Sequence, residues 1–167
     1  DPDATNQPLI RVHALVQRAA RENTPTAAIA TAARAAADGL LQIWPPVEKD
    51  TSFAQILRAN STALRANAED HLWQPDPHEL LFRAGRSLGE AGLVTAAIDH
   101  FHTLHTQAHQ RLGPDHPDTL ATRNNLASWR GRAGDAAGAA TAFEALLADR
   151  LRGLGPDHPD TLTTRHN

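Results

Sequence analysis

The sequence predicts an all-α solenoid of antiparallel helix pairs, and three observations carry that reading. Residues Arg111 to Asn125 (RLGPDHPDTLATRNN) return as Gly153 to Asn167 (GLGPDHPDTLTTRHN), 42 positions later, with twelve of fifteen positions identical. Self-similarity at such a period marks an array whose units each bury an apolar face against the next. Apolar residues recur at three-to-four spacing, as in Ala139, Ala142, Phe143, Leu146 and Leu147, which sets them on one helical face. No stretch alternates apolar and polar residues over strand-like lengths.

The elements follow in order. Three helices are predicted before the repeats, at about Pro8 to Glu22, Thr26 to Ile43 and Ser52 to Ala68. Ile29, Ala33, Ala36, Leu40 and Leu41 form the stripe of the second, and Phe53, Ile56, Leu57 and Leu64 that of the third. Pro45-Pro46 ends the second helix. From Pro75 the 42-residue register holds more weakly: Pro117-Asp118 falls on Pro75-Asp76, Ala133-Gly134 on Ala91-Gly92, and Phe143 on Phe101. Each unit then contains two helices, Pro75 to Glu90 with Val94 to Arg111, and Pro117 to Arg132 with Ala136 to Arg152. Gly92 and Gly134 supply permissive backbone where one helix turns into its partner, and Gly113 closes the helix before it. Pro117 suits the first helical position, Asp115 or His116 the cap before it, and Asp118 places negative charge in the first turn. Residues 1–74 read as a helical linker segment and 75–167 as repeats (75–112, 113–154 and a truncated 155–167). The third copy breaks off at Asn167, so the chain is expected to be an excerpt of a longer array.

Composition narrows the function classes. The 41% hydrophobic content owes much to alanine, with only three tryptophans and four phenylalanines, which suits closely stacked helices. The absence of cysteine excludes disulfides and thiolate chemistry. A net charge of −3 argues against a nucleic-acid partner, since phosphate neutralisation needs a basic surface. No apolar run reaches the length of a membrane span and no signal peptide opens the chain, so a cytoplasmic protein with no membrane partner is the default. No Ser/His/Asp or paired-carboxylate arrangement stands out, and neither enzymatic activity nor a cofactor is expected.

Asn124-Asn125-Leu126-Ala127, then Ala133-Gly134-Asp135, Ala139, Phe143 and the Leu-Gly-Pro-Asp-His-Pro-Asp-Thr string, resemble tetratricopeptide repeats (TPR) of the kinesin-light-chain type. The resemblance spans about Pro75 to Asn167. It implies a TPR-like right-handed superhelix whose first helices line a concave groove for a protein or peptide ligand. An asparagine in that groove holds an extended peptide, which implicates Asn124 and Asn125, with Asn167 matching Asn125. Helical spacing adds Ser128 and Arg132, while Arg83 and Arg86 stand at the places of Asn125 and Ser128. These residues are expected to form one concave patch.

Val12-His13-Ala14-Leu15-Val16-Gln17 is similar to the MHD-type motif of NB-ARC (STAND-class) signalling ATPases, whose actinobacterial members carry such repeats after a helical linker. That resemblance implies nucleotide sensing for His13, although Ala14 replaces the motif's aspartate. The chain contains no GxxxxGK[ST] phosphate loop, so any nucleotide site lies elsewhere. The function it implies is that of a sensor or autoinhibitory scaffold; a free-standing scaffold is the alternative.

Two further patterns admit more than one reading. Asp115-His116-x-Asp118 and Asp157-His158-x-Asp160 resemble metal ligands, but helix capping accounts for them. His102, His105 and His109 share a helical face that could hold a divalent ion, or could simply pack between units. Trp44, Trp73 and Trp129 are expected to pack with their N–H groups satisfied. Leu162 marks an apolar end face where self-association is expected.

Overall fold

The structure is a computed structural model and describes residues 12–166. Asn167 and the start of the first predicted helix lie outside the described residues. The elements are α1 (Ala14–Asn23), α2 (Thr26–Ile43), α3 (Thr51–Ala68), a 3-10 turn (Glu69–Leu72), α4 (Glu79–Glu90), α5 (Val94–Leu112), α6 (Pro117–Arg132), α7 (Ala136–Gly153) and α8 (Pro159–His166). Among the described residues there is no strand. Successive helices pack as antiparallel pairs, α4 on α5 and α6 on α7, with α5 also packed on α6 and α7 on α8. This is an all-α, TPR-like solenoid.

Glycine turns set the rhythm. Gly92, Gly113, Gly134 and Gly155 all have φ between 80° and 100°, a region that L side chains rarely occupy. They fall 21 residues apart, so the 42-residue unit divides into two equal half-turns. At the corners inside each unit, Leu93 N–H donates to the Leu88 carbonyl at 3.0 Å and Asp135 N–H to Arg130 at 3.1 Å. Both bonds close the helix end in the Schellman manner.

The helix starts answer the ambiguity between Asp115 and His116. His116 Nδ1 accepts from Asp118 N–H at 3.2 Å, and His158 Nδ1 from Asp160 N–H at the same distance. In the first unit the same cap moves forward by one turn. The expected Pro75 start of α4 is wrong: the helix begins at Glu79, capped by His78 Nδ1 accepting from Leu80 N–H at 3.2 Å. Pro77 is the cause, because a proline drives the residue before it, here Asp76, out of helical backbone. The extended stretch is fastened to α2. Arg34 Nη1 donates to the carbonyls of Gln74 at 2.6 Å and Asp76 at 3.1 Å, and His78 Nε2 to Asp38 at 3.0 Å.

One buried cluster runs from α2 to α6 through Ala37, Leu57, Leu72, Leu81, Phe101 and Trp129. It crosses the boundary at 74/75 without a break, so the helices before the repeats share their core. In α2 the buried positions are Ala33 and Ala37, and Ala36 is exposed. Ile56 of α3 also turns outward, leaving Ala54, Leu57 and Ser61 buried. All three tryptophans are buried. Trp44 Nε1 donates to Glu48 at 2.7 Å, whereas Trp73 Nε1 is buried without a partner, so the expectation of satisfied indoles fails there.

Candidate peptide-binding surface

The first helices of the two units, α4 and α6, each bury most of their circumference and leave one strip open. On α6 that strip carries Ala121, Asn124, Asn125, Ser128 and Arg132, all half-buried or exposed, while Thr119, Leu120, Thr122, Leu126, Ala127 and Trp129 are buried. On α4 it carries Glu79, Arg83, Arg86 and Glu90, between buried Leu80, Leu81, Phe82, Ala84, Gly85, Ser87 and Gly89. The six sequence-selected residues that are described therefore lie on the open strips of these two helices. Asn167 is not described; Thr163 and His166, both exposed, continue the strip on α8.

The two strips differ in chemistry. Arg83 is consumed by the protein itself. Its guanidinium donates to Glu48 Oε1 at 2.9 Å, the Pro45 carbonyl at 3.0 Å and Glu90 at 2.9 Å, and lies 5.3 Å from the Trp44 ring centre. Arg86 pairs with Glu79. The arginines expected to reach ligand carboxylates thus already hold carboxylates, and a charged ligand gains little from an exchange. The α6 strip is uncharged apart from Arg132, whose guanidinium stacks 4.6 Å from the Trp129 ring centre. Asn125 Nδ2 donates to the Ala121 carbonyl at 2.9 Å, and the Ser128 hydroxyl to the Asn124 carbonyl at 2.9 Å. Both are intrahelical bonds that orient the side chains along the surface.

Sequence reasoning missed Glu48. Its carboxylate, with side-chain exposure of 9%, accepts from Trp44, Arg58, Arg83 and the Ser87 hydroxyl. It pins the α2–α3 connector to α4. No local pattern signals this, because its partners lie on three different segments: Trp44 after α2, Arg58 on α3, and Arg83 and Ser87 on α4.

The histidine row does not converge. His105 and His109 meet edge to face with ring centres 6.0 Å apart, and His105 Nδ1 lies 3.3 Å from the Thr122 hydroxyl. Burial, aided by the Arg123 charge and by His109 and His102, lowers the His105 pKa. Among the described residues no group of three or more His, Cys, Asp or Glu side chains is placed to hold a metal ion. His13 is exposed, and its Nδ1 accepts from Leu15 N–H at 3.2 Å. Among the described residues no helix is long and apolar enough to cross a membrane.

Stacked helix pairs and glycine turns at a constant spacing define a helical-repeat protein. Residues 78–152, which take in α4 to α7, match the family model of the tetratricopeptide repeat, so this stretch is a tetratricopeptide-repeat region. No significant match is found among curated proteins.

Proposed function

We propose that the chain is a protein- or peptide-recognition scaffold whose contact surface is the open strip of α6, extended by α4 and α8. The observation that carries this reading is the polar, nearly uncharged composition of the α6 strip, set against the buried Thr119, Leu120, Thr122, Leu126, Ala127 and Trp129 of the same helix. Asparagine amides both donate and accept, which suits the backbone of an extended peptide that has lost its water. The paired charges on α4 leave shape and backbone hydrogen bonding, not net charge, to choose the ligand. A surface of two complete units is short, and affinity in the micromolar range follows from a contact at the low end of interface sizes.

A peptide selected by display on this chain tests the reading. Asn125→Ala should weaken its binding by about tenfold, the value of one or two hydrogen bonds, while the melting temperature stays within a degree or two of the parent. Unchanged affinity in Asn124→Ala, Asn125→Ala and Ser128→Ala alike would overturn it.

The kinesin-light-chain subtype, and a place behind a STAND-class ATPase that the repeats would regulate, rest on sequence resemblance alone. A free-standing scaffold fits the fold equally. A phosphate-loop motif in the same reading frame would favour the ATPase, and the peptide should then alter the ATP turnover of that full-length protein.

A further inference from the structure

The side of α6 opposite the open strip faces α5 and α7, and the three helices enclose an open cavity of about 280 Å³. Arg123, Leu126, Ala127 and Arg130 of α6 line it, together with His105 of α5 and Ala142 of α7. The same junction one unit earlier, among α3, α4 and α5, leaves about 40 Å³.

The repeat register explains the difference. Ala84, Leu88 and His100 of the earlier junction stand 42 residues before Leu126, Arg130 and Ala142. The His100 imidazole plugs the first junction. It lies so close to Gly85 that a Cβ there would come 2.6 Å from its Cδ2, and its Nε2 bonds to the Leu81 carbonyl at 2.7 Å. In the second unit Ala142 removes the ring and Ala127 stands where Gly85 made room for it.

The junction that loses its plug gains a cation. Arg130 replaces Leu88, and its guanidinium has no ion pair or hydrogen bond among the described residues. Arg123 is already neutralised by Asp149 at 2.6 Å. Apart from the two arginines and the His102 and His105 imidazoles the cavity wall is apolar, through Leu126, Ala127 and Ala142, and burial lowers the His105 pKa. A cavity of this size lies just below the usual range of small-molecule sites, room for one ring and a short acid chain. The unfilled space has the place of an imidazole ring, and the free guanidinium calls for a carboxylate.

We propose that the α5–α6–α7 cavity binds a small organic acid, its flat ring taking the place that His100 fills one unit earlier and its carboxylate pairing with Arg130. The site lies across α6 from Asn124, Asn125 and Ser128, so it is separate from the peptide surface and can be filled independently.

Titration calorimetry on the whole chain with 3-phenylpropionate, and with the uncharged 3-phenylpropanol, tests the assignment. The acid should bind, and the alcohol should bind at least about tenfold more weakly, as expected for the loss of a charge-assisted bond. Arg130→Leu, which copies the earlier junction, should reduce the acid to the affinity of the alcohol. The double variant Ala127→Gly/Ala142→His rebuilds the plug and should abolish binding of both. Ala142→Leu fills the same space without altering Ala127 and should do likewise, should the double variant fail to fold. Ligand-induced NMR shifts should fall on His102 and His105 and not on the Asn125 amide. Absence of binding at about 10 mM acid, far weaker than any specific site, would overturn the proposal, as would equal affinity for acid and alcohol or undiminished binding to the filled variants.

Discussion

The ring of Trp129 lies directly on Gly89: a Cβ built on that glycine would come 2.2 Å from the indole Cη2. The contact joins the first helices of successive units, α4 and α6, and sets how closely they stack. Arg132 covers the same indole, so the open strip of α6 rests on this packing.

Gly89→Ala should therefore destabilise the chain by about 1–3 kcal/mol, the usual cost of overpacking a filled site. Gly39 is the control. It lies inside α2 with nothing within 4 Å of an added Cβ, so Gly39→Ala should stabilise by about 0.5–1 kcal/mol through helix propensity. Urea unfolding of both variants checks the pair; equal shifts in the same direction would contradict it.

Glu48 holds four donors from its nearly buried position, and removing its charge leaves Arg58 without a carboxylate partner and Arg83 with Glu90 alone. Glu48→Ala should cost roughly 3 kcal/mol, as for one partner lost from a buried pair. Glu48→Gln, which keeps one acceptor oxygen, for either Trp44 or Ser87, should cost less. Thermal denaturation followed by circular dichroism, with near-ultraviolet readout of Trp44, measures both.

His100 makes stability depend on pH. Burial above all, opposed by the bond to the Leu81 carbonyl and aided by the Arg65 charge, lowers its pKa from 6.5 to about 4. The unfolded chain takes up this proton near pH 6.5 and the folded chain only near 4, so the unfolded state binds more protons in between. Stability should be unaffected by this group above pH 6.5 and should decline by up to about 3 kcal/mol as pH falls toward 4. The lowered pKa of His105 acts with the same sign. His100→Gln keeps a donor for Leu81 without a titrating ring, and urea midpoints across this range should show a flatter profile. A parallel profile would assign the pH dependence to other groups.

His116 caps α6 through an imidazole nitrogen, a role that serine and aspartate fill more often. His116→Ala should cost about 1 kcal/mol by leaving the Asp118 N–H without its acceptor, and His116→Ser should restore most of it. Melting temperatures of the two variants check the ordering.

Most element boundaries were legible because they depend on residues a few positions apart. Thr26–Ile43 and Pro117–Arg132 end where prolines, caps and glycines end them. The start of α4 was misread because the repeat register suggested Pro75 while Pro77, a purely local element, decided against it. Ala36 and Ile56 were misassigned because a stripe of apolar residues names a face only to within one position, and the neighbouring helix selects among them. The open strip was legible from helical spacing; that Arg83 is occupied by Glu48 and Glu90 was not.

The 42-residue echo, its glycine turns and its capping histidines specify a stack of helix pairs, since each acts through backbone geometry within one turn. Which of the repeated positions are spent and which remain open was settled by packing between units. His100 and Ala142 hold the same place in the repeat, yet one fills a junction and the other opens it. That outcome depends on Gly85 and Ala127, which meet these residues only once the helices have stacked.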